Sequence, residues 1–311
     1  MTENGILNVC KPRGWTSLDV VRLVRRYSHV QRVGHAGTLD PAAEGVLPVC
    51  LGQATRLVEY LLDYPKSYRA RIRLGIVTDT YDAEGTVVST ADPSSVTRKM
   101  VEQLLPAFTG EVTQVPPMFS ALKRDGVPLY RYARAGKTVE REPRPVRIYR
   151  LELIDFEPPT LTVEMECGRG VYLRTFAHDL GEHLECGAHL EHLVRLSVGP
   201  FSLDSAVGIE ELRNAFDEGS WGDLLHPLDS VLLNRHAAIL GEQNQQLAAW
   251  GRTVELTPVH PERIRVLTEG ALCRAYSLDG LLVALLRYQG DSFLWRPEKV
   301  FPSPEKPEKM L

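Results

Sequence analysis

The run "SYRARIRLG" at residues 67–75 alternates Arg69, Arg71 and Arg73 with Ala70, Ile72 and Leu74, the period of a half-exposed β-strand. Around it, strand and helix patterns are mixed without regular alternation. "GILNV" opens as a strand, and a Lys-Pro-x-Gly turn leads into a helix that Thr16 or Ser17 can cap. Asp19 suits the positive end of that helix, and Val20, Val21, Val24 and Tyr27 recur at helical spacing. Further helices are predicted at 54–62, 94–108 and 173–184, strands at 147–156 and 160–167, and a helix running into a strand at 189–199. The expected fold class is α+β around a mixed or antiparallel central sheet rather than a doubly wound α/β fold.

The 311 residues suffice for one large domain and a smaller one. The division is expected near residue 232: residues 1–232 form the larger domain, and 233–303 carry short strands separated by glycine turns at Gly270, Gly280 and Gly290, the pattern of a small β-rich unit. Residues 304–311 are rich in proline and charge and are predicted to be disordered. Within the larger domain, 114–147 read as a long basic insertion, and long insertions are commonly functional.

The net charge of -4 conceals an uneven distribution. Residues 117–150 hold nine lysines and arginines against three acids, and 11–35 hold six against Asp19 alone, whereas 177–230 hold eleven acids against Arg195 and Arg213. Two basic segments in an otherwise acidic chain point to a polyanionic partner. The N-terminus lacks a basic segment followed by a long apolar core, and no apolar run approaches membrane-spanning length. Cys10, Cys50, Cys167, Cys186 and Cys273 are odd in number and include no C-x-x-C pair, which predicts free thiols and a cytoplasmic location.

Common catalytic signatures are missing. His178, His183, Cys186, His189 and His192 match neither the H-E-x-x-H metal motif nor its inverse, and their spacing reads as that of a helix, so no metal is expected. There is no G-x-S-x-G elbow, no G-x-x-x-x-G-K-[ST] loop and no G-x-G-x-x-G, and no cofactor is implied. Three other residues stand out: Asp40 in the glycine-rich "GHAGTLDPAAEGVLPVCLG", Tyr68 in the arginine-rich strand, and Arg174 in "CGRGVYLRTFAHDLG". Taken singly, Asp40 followed by Pro41 reads as a helix N-cap, Tyr68 as a strand aromatic and Arg174 as half of a structural ion pair.

Taken in order, "GILNVCKPRGWTS", "VGHAGTLDPAAEGVLPVCLGQATRL", "KSYRARIRLGIVTDTYDAEG", "QVPPMFSALKRDGVPLYRYARAGKTVEREPRPVRIY" and "CGRGVYLRTFAHDLGEHLECGAHLEHLVRLSVGPF" resemble the successive motifs of the TruB-type tRNA pseudouridine synthases, from about residue 5 to 201. The C-terminal unit looks like a PUA RNA-binding domain. Departures from the family pattern are Glu44, where a small or hydroxyl residue is usual, and Glu185, where glycine is common. The resemblance implies a pseudouridine-synthase fold that isomerises a uridine at position 55, in the T-arm loop of tRNA, on a flipped-out base, without cofactor, metal or protein partner, as a monomer. It implies Asp40 as the catalytic aspartate, attacking C1′ or taking the C2′ proton. Arg174 is its partner, expected to lower its pKa, and Tyr68 stacks on the base and relays the C5 proton. Leu193 would pack in the same pocket and Tyr172 would support Asp40. His35 would lie where the flipped base had been. Lys123, Arg124, Arg134, Lys137 and Arg141 of the insertion would clamp the stem-loop, while Lys11, Pro12, Gly37, Leu39 and Pro41 would support the site. The glycines would let the backbone come close to RNA.

Three alternatives share some of these features. A guide-RNA-dependent synthase of the same superfamily shares the aspartate loop; the start directly at the first motif and the insertion favour the stand-alone branch. A non-catalytic tRNA-binding or tRNA-folding protein would not need Asp40, Tyr68 and Arg174 together. A metal-dependent hydrolase would need the histidines.

Overall fold

The structure, a computed structural model, describes residues 4–302 apart from 121, 125, 138, 257–266 and 291–292. Strand β1 (Gly5–Lys11) leads into helix α1 (Ser17–Ser28). Thr16 is the cap: its hydroxyl accepts from the Asp19 amide while the Asp19 carboxylate accepts from the Thr16 amide, a reciprocal capping box. The buried stripe of Val20, Val21, Leu23 and Val24 seats α1 on the sheet.

Strands β2 (Val33–His35) and β3 (Glu44–Leu51) pair antiparallel, and the chain between them is the glycine-rich loop. The predicted helix at 54–62 divides into a 3-10 turn at Gly52–Leu57 and helix α2 (Val58–Asp63). In β4 (Lys66–Leu74) alternate residues Lys66, Tyr68, Ala70, Ile72 and Leu74 are buried while the arginines face outward, as the sequence period requires. A small hairpin, β5 (Ile76–Thr78) and β6 (Val87–Thr90), precedes α3 (Arg98–Leu104), which Thr97 caps.

The basic insertion departs from β7 (Gly110–Gln114), forms a minimal hairpin of β8 (Lys123–Arg124) and β9 (Val127–Pro128) and a short helix α4 (Leu129–Arg134), and rejoins the sheet at β10 (Arg144–Glu157). Strand β11 (Thr160–Cys167), helix α5 (Leu173–His183), β12 (Ala188–Val198), β13 (Phe201–Ser202), α6 (Ile209–Glu218) and β14 (Leu225–His226) complete the larger unit. The central sheet runs β14-β1-β3-β12-β4-β11-β10-β7, with β2 on β3 and β13 on β12. β3 and β12 run parallel, against antiparallel neighbours, so the sheet is mixed. Helix α5 covers the β4–β11–β12 region through Phe176, Ala177 and Leu180.

The segment expected to begin as a helix at 189 is strand throughout. Two bulges explain the misleading pattern. Register shifts at Leu190/His192 and Arg195/Ser197 slip the alternation of inward residues, so that apolar positions fall three and four apart as on a helix. His189 and His192 therefore lie on a strand, and among the described residues no group of three or more His, Cys, Asp and Glu is gathered as a metal site would need. Glu185 adopts the left-handed conformation at φ 57°, just past the end of α5, which accounts for a preference for glycine there.

The C-terminal unit contains β15 (His236–Ile239), α7 (Glu242–Ala249), β16 (Val254–Glu255), β17 (Leu272–Tyr276), β18 (Leu282–Tyr288) and β19 (Leu294–Val300), in sheet order β15-β17-β18-β19-β16. One side of this sheet makes its own core with α7 around Leu240, Val254, Ala284 and Trp295. From the other side Leu272, Leu285 and Phe301 join Cys50, Leu57, Leu61 and Val231 in a shared apolar cluster. Polar contacts flank it: Tyr60 donates to Glu298 at 2.8 Å, and Tyr276 to Asp229. The tail expected to be disordered lies outside the described residues.

Candidate active site

The loop joining β2 to β3 is pinned from several sides. The Ser17 hydroxyl accepts from the Leu39 amide at 2.9 Å and donates to the Leu39 carbonyl. The Gly14 amide donates to the Pro41 carbonyl at 2.8 Å, and the Ala43 amide to that of Asp40 at 3.1 Å. Lys11, fully buried, gives its ammonium protons to the carbonyls of Pro12, Trp15 and Pro41. That staples the Lys-Pro-x-Gly turn to the loop, so Lys11, Pro12 and Pro41 brace the site from behind. No helix follows Asp40. The chain makes a turn and enters β3, which overturns the N-cap reading.

Freed of a capping role, the Asp40 carboxylate meets Arg174 of α5, with Nε 3.0 Å from Oδ2. Arg174 is 5% exposed and held on every side: it donates to the Phe119 carbonyl at 2.9 Å and lies 3.6 Å from the Asp82 carboxylate. Arg174 does act to lower the Asp40 pKa, as expected, but the net shift is upward. Enclosure on the cleft floor raises it, the nearby Asp82 raises it further, and Arg174 and Lys11 oppose without prevailing. Solvent still touches the carboxylate, as suits a reacting group at the base of a concavity.

A cleft of about 280 Å³ opens above this pair. Gly37, Leu39 and Asp40 line it together with Tyr68 of β4, Tyr172 and Arg174 at the start of α5, and Leu193 and Arg195 of β12. Burial raises the Tyr68 phenol above its ordinary value, as it does that of Tyr172. The Tyr172 backbone is clamped by Gln114, whose side chain accepts from its amide at 3.0 Å and donates to its carbonyl.

The fold thus gathers Asp40, Tyr68, Arg174, Tyr172, Leu193, Gly37 and Leu39 around one cleft. His35 is not among them: it ends β2 with its Nδ1 buried and unbonded. The insertion's basic residues also lie elsewhere. Lys123, Arg124 and Arg141 line a separate groove of about 220 Å³, where Arg141 donates to the Pro116 carbonyl and Arg124 to that of Glu140. Lys137 is exposed, and Arg134 closes α4. Glu44, unusual at its position, sits 3.3 Å from His192.

Asp82, Gln114 and Arg195 escaped the sequence reading. Asp82 sits in an acidic turn where its carboxylate accepts from Thr80 at 2.6 Å and from the Glu84 amide, a pattern indistinguishable from any Asx turn. Arg195 had one signal: it is one of two bases in a long acidic stretch.

Solved structures share this fold. The chain superposes on that of a Cbf5-Nop10-Gar1 complex with a TM-score of 0.72 at 24% identity, covering 96% of this chain and 85% of the other. The H/ACA RNP bound to a substrate RNA containing 2'-deoxyuridine gives 0.73 at 22% identity, over 97% and 86%. The fold is that of the pseudouridine synthase chain in these structures. Residues 25–173 match the N-terminal domain of the TruB family pseudouridylate synthases, and 174–233 match the tRNA pseudouridylate synthase B C-terminal domain. The tRNA pseudouridine synthase B of Dehalococcoides mccartyi is 43% identical over 97% of both chains, and that of Symbiobacterium thermophilum 53% identical over 67% of this chain and 71% of its own. The chain belongs to the TruB family of pseudouridylate synthases.

Proposed function

We propose that the protein isomerises a uridine in the T-arm loop of tRNA, at position 55, to pseudouridine. The observation that carries this reading is the Asp40–Arg174 pair, 3.0 Å apart on the floor of a cleft walled by Tyr68. The relatives' names, tRNA pseudouridine synthase B, supply the substrate class. In the reaction the N-glycosidic bond to C1′ breaks, the uracil turns, and C5 bonds to the same carbon. Asp40 acts at the sugar, as nucleophile on C1′ or as base on the C2′ proton, and either role needs the ionised carboxylate. Tyr68 stacks on the base, while Leu193 and Tyr172 pack against the same nucleotide. The uridine enters flipped out of the T-loop, at a cost of a few kcal/mol, roughly. His35, outside the cleft, takes the place the base has left. Lys123, Arg124, Arg134, Lys137 and Arg141 of the 114–147 insertion hold the stem-loop, and the PUA-like unit from 233 onward adds RNA contacts. The protein works as a cytoplasmic monomer with no cofactor.

Incubation of an unmodified tRNA transcript with the protein alone, followed by pseudouridine mapping, tests this directly. Modification at the T-loop uridine is expected. A requirement for a guide RNA would move the protein to the guide-dependent branch instead.

Two further results are expected. Affinity for tRNA should fall with salt along a log–log slope between ~-0.7 and ~-0.9 per phosphate neutralised, and salt-independent binding would contradict a clamp made of basic residues. Because the Asp40 pKa is raised, the acid limb of the kcat/KM profile should lie above the ordinary aspartate range, with activity lost as pH falls through it. Asp82→Asn removes a neighbouring negative charge and should move that limb to lower pH. A limb that stays in place would show that Asp40 does not feel Asp82.

A further inference from the structure

Arg195 is only 1% exposed, and it stands directly opposite Tyr68 in the pairing of β12 with β4. Its Nε donates to the Val46 carbonyl at 2.6 Å and its Nη2 to the Gly37 carbonyl at 3.1 Å. The guanidinium lines the same cleft as Tyr68, and its charge works against burial to lower the pKa of that phenol. Among the described residues it forms no ion pair with a carboxylate. Its charged neighbours include two further cations, Lys66 and Lys11, both pushed down to about 8 by burial, with the charge of Arg195 contributing. Asp40 and Arg174 form the other charged part of the same cleft region. A buried guanidinium with carbonyl partners but no carboxylate of its own is available to a negative charge that develops in the cleft.

A guanidinium donates and never accepts. Toward Arg195 the Tyr68 oxygen can only accept, which leaves its own proton for another partner. We propose that Arg195 is a positioning residue for Tyr68, holding its phenol oxygen and carrying the negative charge of the phenolate while Tyr68 moves a proton from C5 to the ring nitrogen. The inference rests on the pseudouridine synthase reading above.

The step balances without any other reactant. Once C5 has bonded to C1′, C5 still bears its hydrogen and the freed ring nitrogen N1 is doubly bonded to C6. Tyr68 gives its proton to N1, and the O–H electron pair stays on oxygen beside Arg195. The phenolate then takes the C5 proton. The C5–H pair becomes the C5=C6 bond, the C6=N1 pair returns to nitrogen, and Tyr68 ends as it began. Burial above all, with Cys167 and Asp40 adding to it, makes a phenolate costly at this place, and Arg195 is the group that opposes them.

The test compares single-turnover pseudouridine formation on tRNA by R195K, and by R195Q as a second variant that keeps side-chain donors but no charge. Thermal unfolding of each identifies the variant that folds. The expected loss is about 100-fold at unchanged tRNA affinity. Installing 3,5-difluorotyrosine, a more acidic phenol, at position 68 of the slowed variant should recover about tenfold or more, and the loss should vanish in a Tyr68→Phe background. A loss that persists whatever the acidity of the phenol, or that adds in full to Tyr68→Phe, overturns the proposal. Absence of pseudouridine with the unaltered protein would sink the functional reading itself, whereas normal turnover without rescue sinks the role of Arg195 alone.

Discussion

Replacement of Asp40 by asparagine is expected to stop pseudouridine formation, by about 10⁴-fold or more, while tRNA still binds. The substitution keeps the shape of the side chain and removes its charge, so what is lost is chemistry at the sugar rather than the form of the cleft. The loop should survive, because its bracing runs through Ser17, Gly14 and Lys11 to the backbone at 39–41 and not through the Asp40 side chain. Arg174 should stay in place too, held by the Phe119 carbonyl and by Asp82. Binding should change little, since the basic residues of the insertion lie in a separate groove. The check is single-turnover product formation alongside filter binding of the same tRNA. Turnover within tenfold of the parent would reject Asp40 as the reacting carboxylate, and a parallel loss of affinity would mean that the substitution had damaged the fold.

What the sequence made legible was local. The alternation in β4 and the capping box of α1 depend on side chains within a few residues of each other, and both appear as expected. The bulged β12 shows where locality fails: two extra residues in a strand rewrite its period, and the pairing that would reveal them is with β4, more than a hundred residues earlier. The same division runs through the site. Asp40, Tyr68 and Arg174 were found through their motifs, and the fold brings them together. Asp82 and Gln114 act through contacts that only the closed sheet creates: one shares Arg174 with Asp40, the other clamps the backbone of Tyr172. Even the direction of the Asp40 pKa turned on this. An arginine neighbour can be inferred from a motif, but the enclosure and the second carboxylate that outweigh it belong to the tertiary structure.

Gly45→Ala should have the largest effect on stability of any conservative change in the glycine-rich stretch, a loss of about 2–5 kcal/mol. Gly45, the second residue of β3, has φ at +104°, where an L side chain is strained by ~1–2 kcal/mol. It is also wedged between strands, paired with Lys11 on one side and Arg195 on the other. A Cβ there would lie 2.3 Å from the Arg195 carbonyl oxygen and 2.9 Å from its amide nitrogen, and no flexible side chain can yield because both atoms are backbone. Relieving that overlap means parting β3 from β12, at a further cost of ~1–3 kcal/mol. The displacement would fall on the residue opposite Tyr68 and at the end of the loop that carries Asp40, so activity should drop along with stability. Gly34 offers the control within the same stretch. Open space surrounds its missing side chain, and Gly34→Ala should change stability by less than about 1 kcal/mol. Urea unfolding of the two variants decides the matter: equal midpoints would mean that β3 and β12 can separate freely at Gly45. The expected inequality gives this glycine a role inside the protein, the close approach of two strands behind the cleft, in place of the approach to RNA that its sequence context suggests.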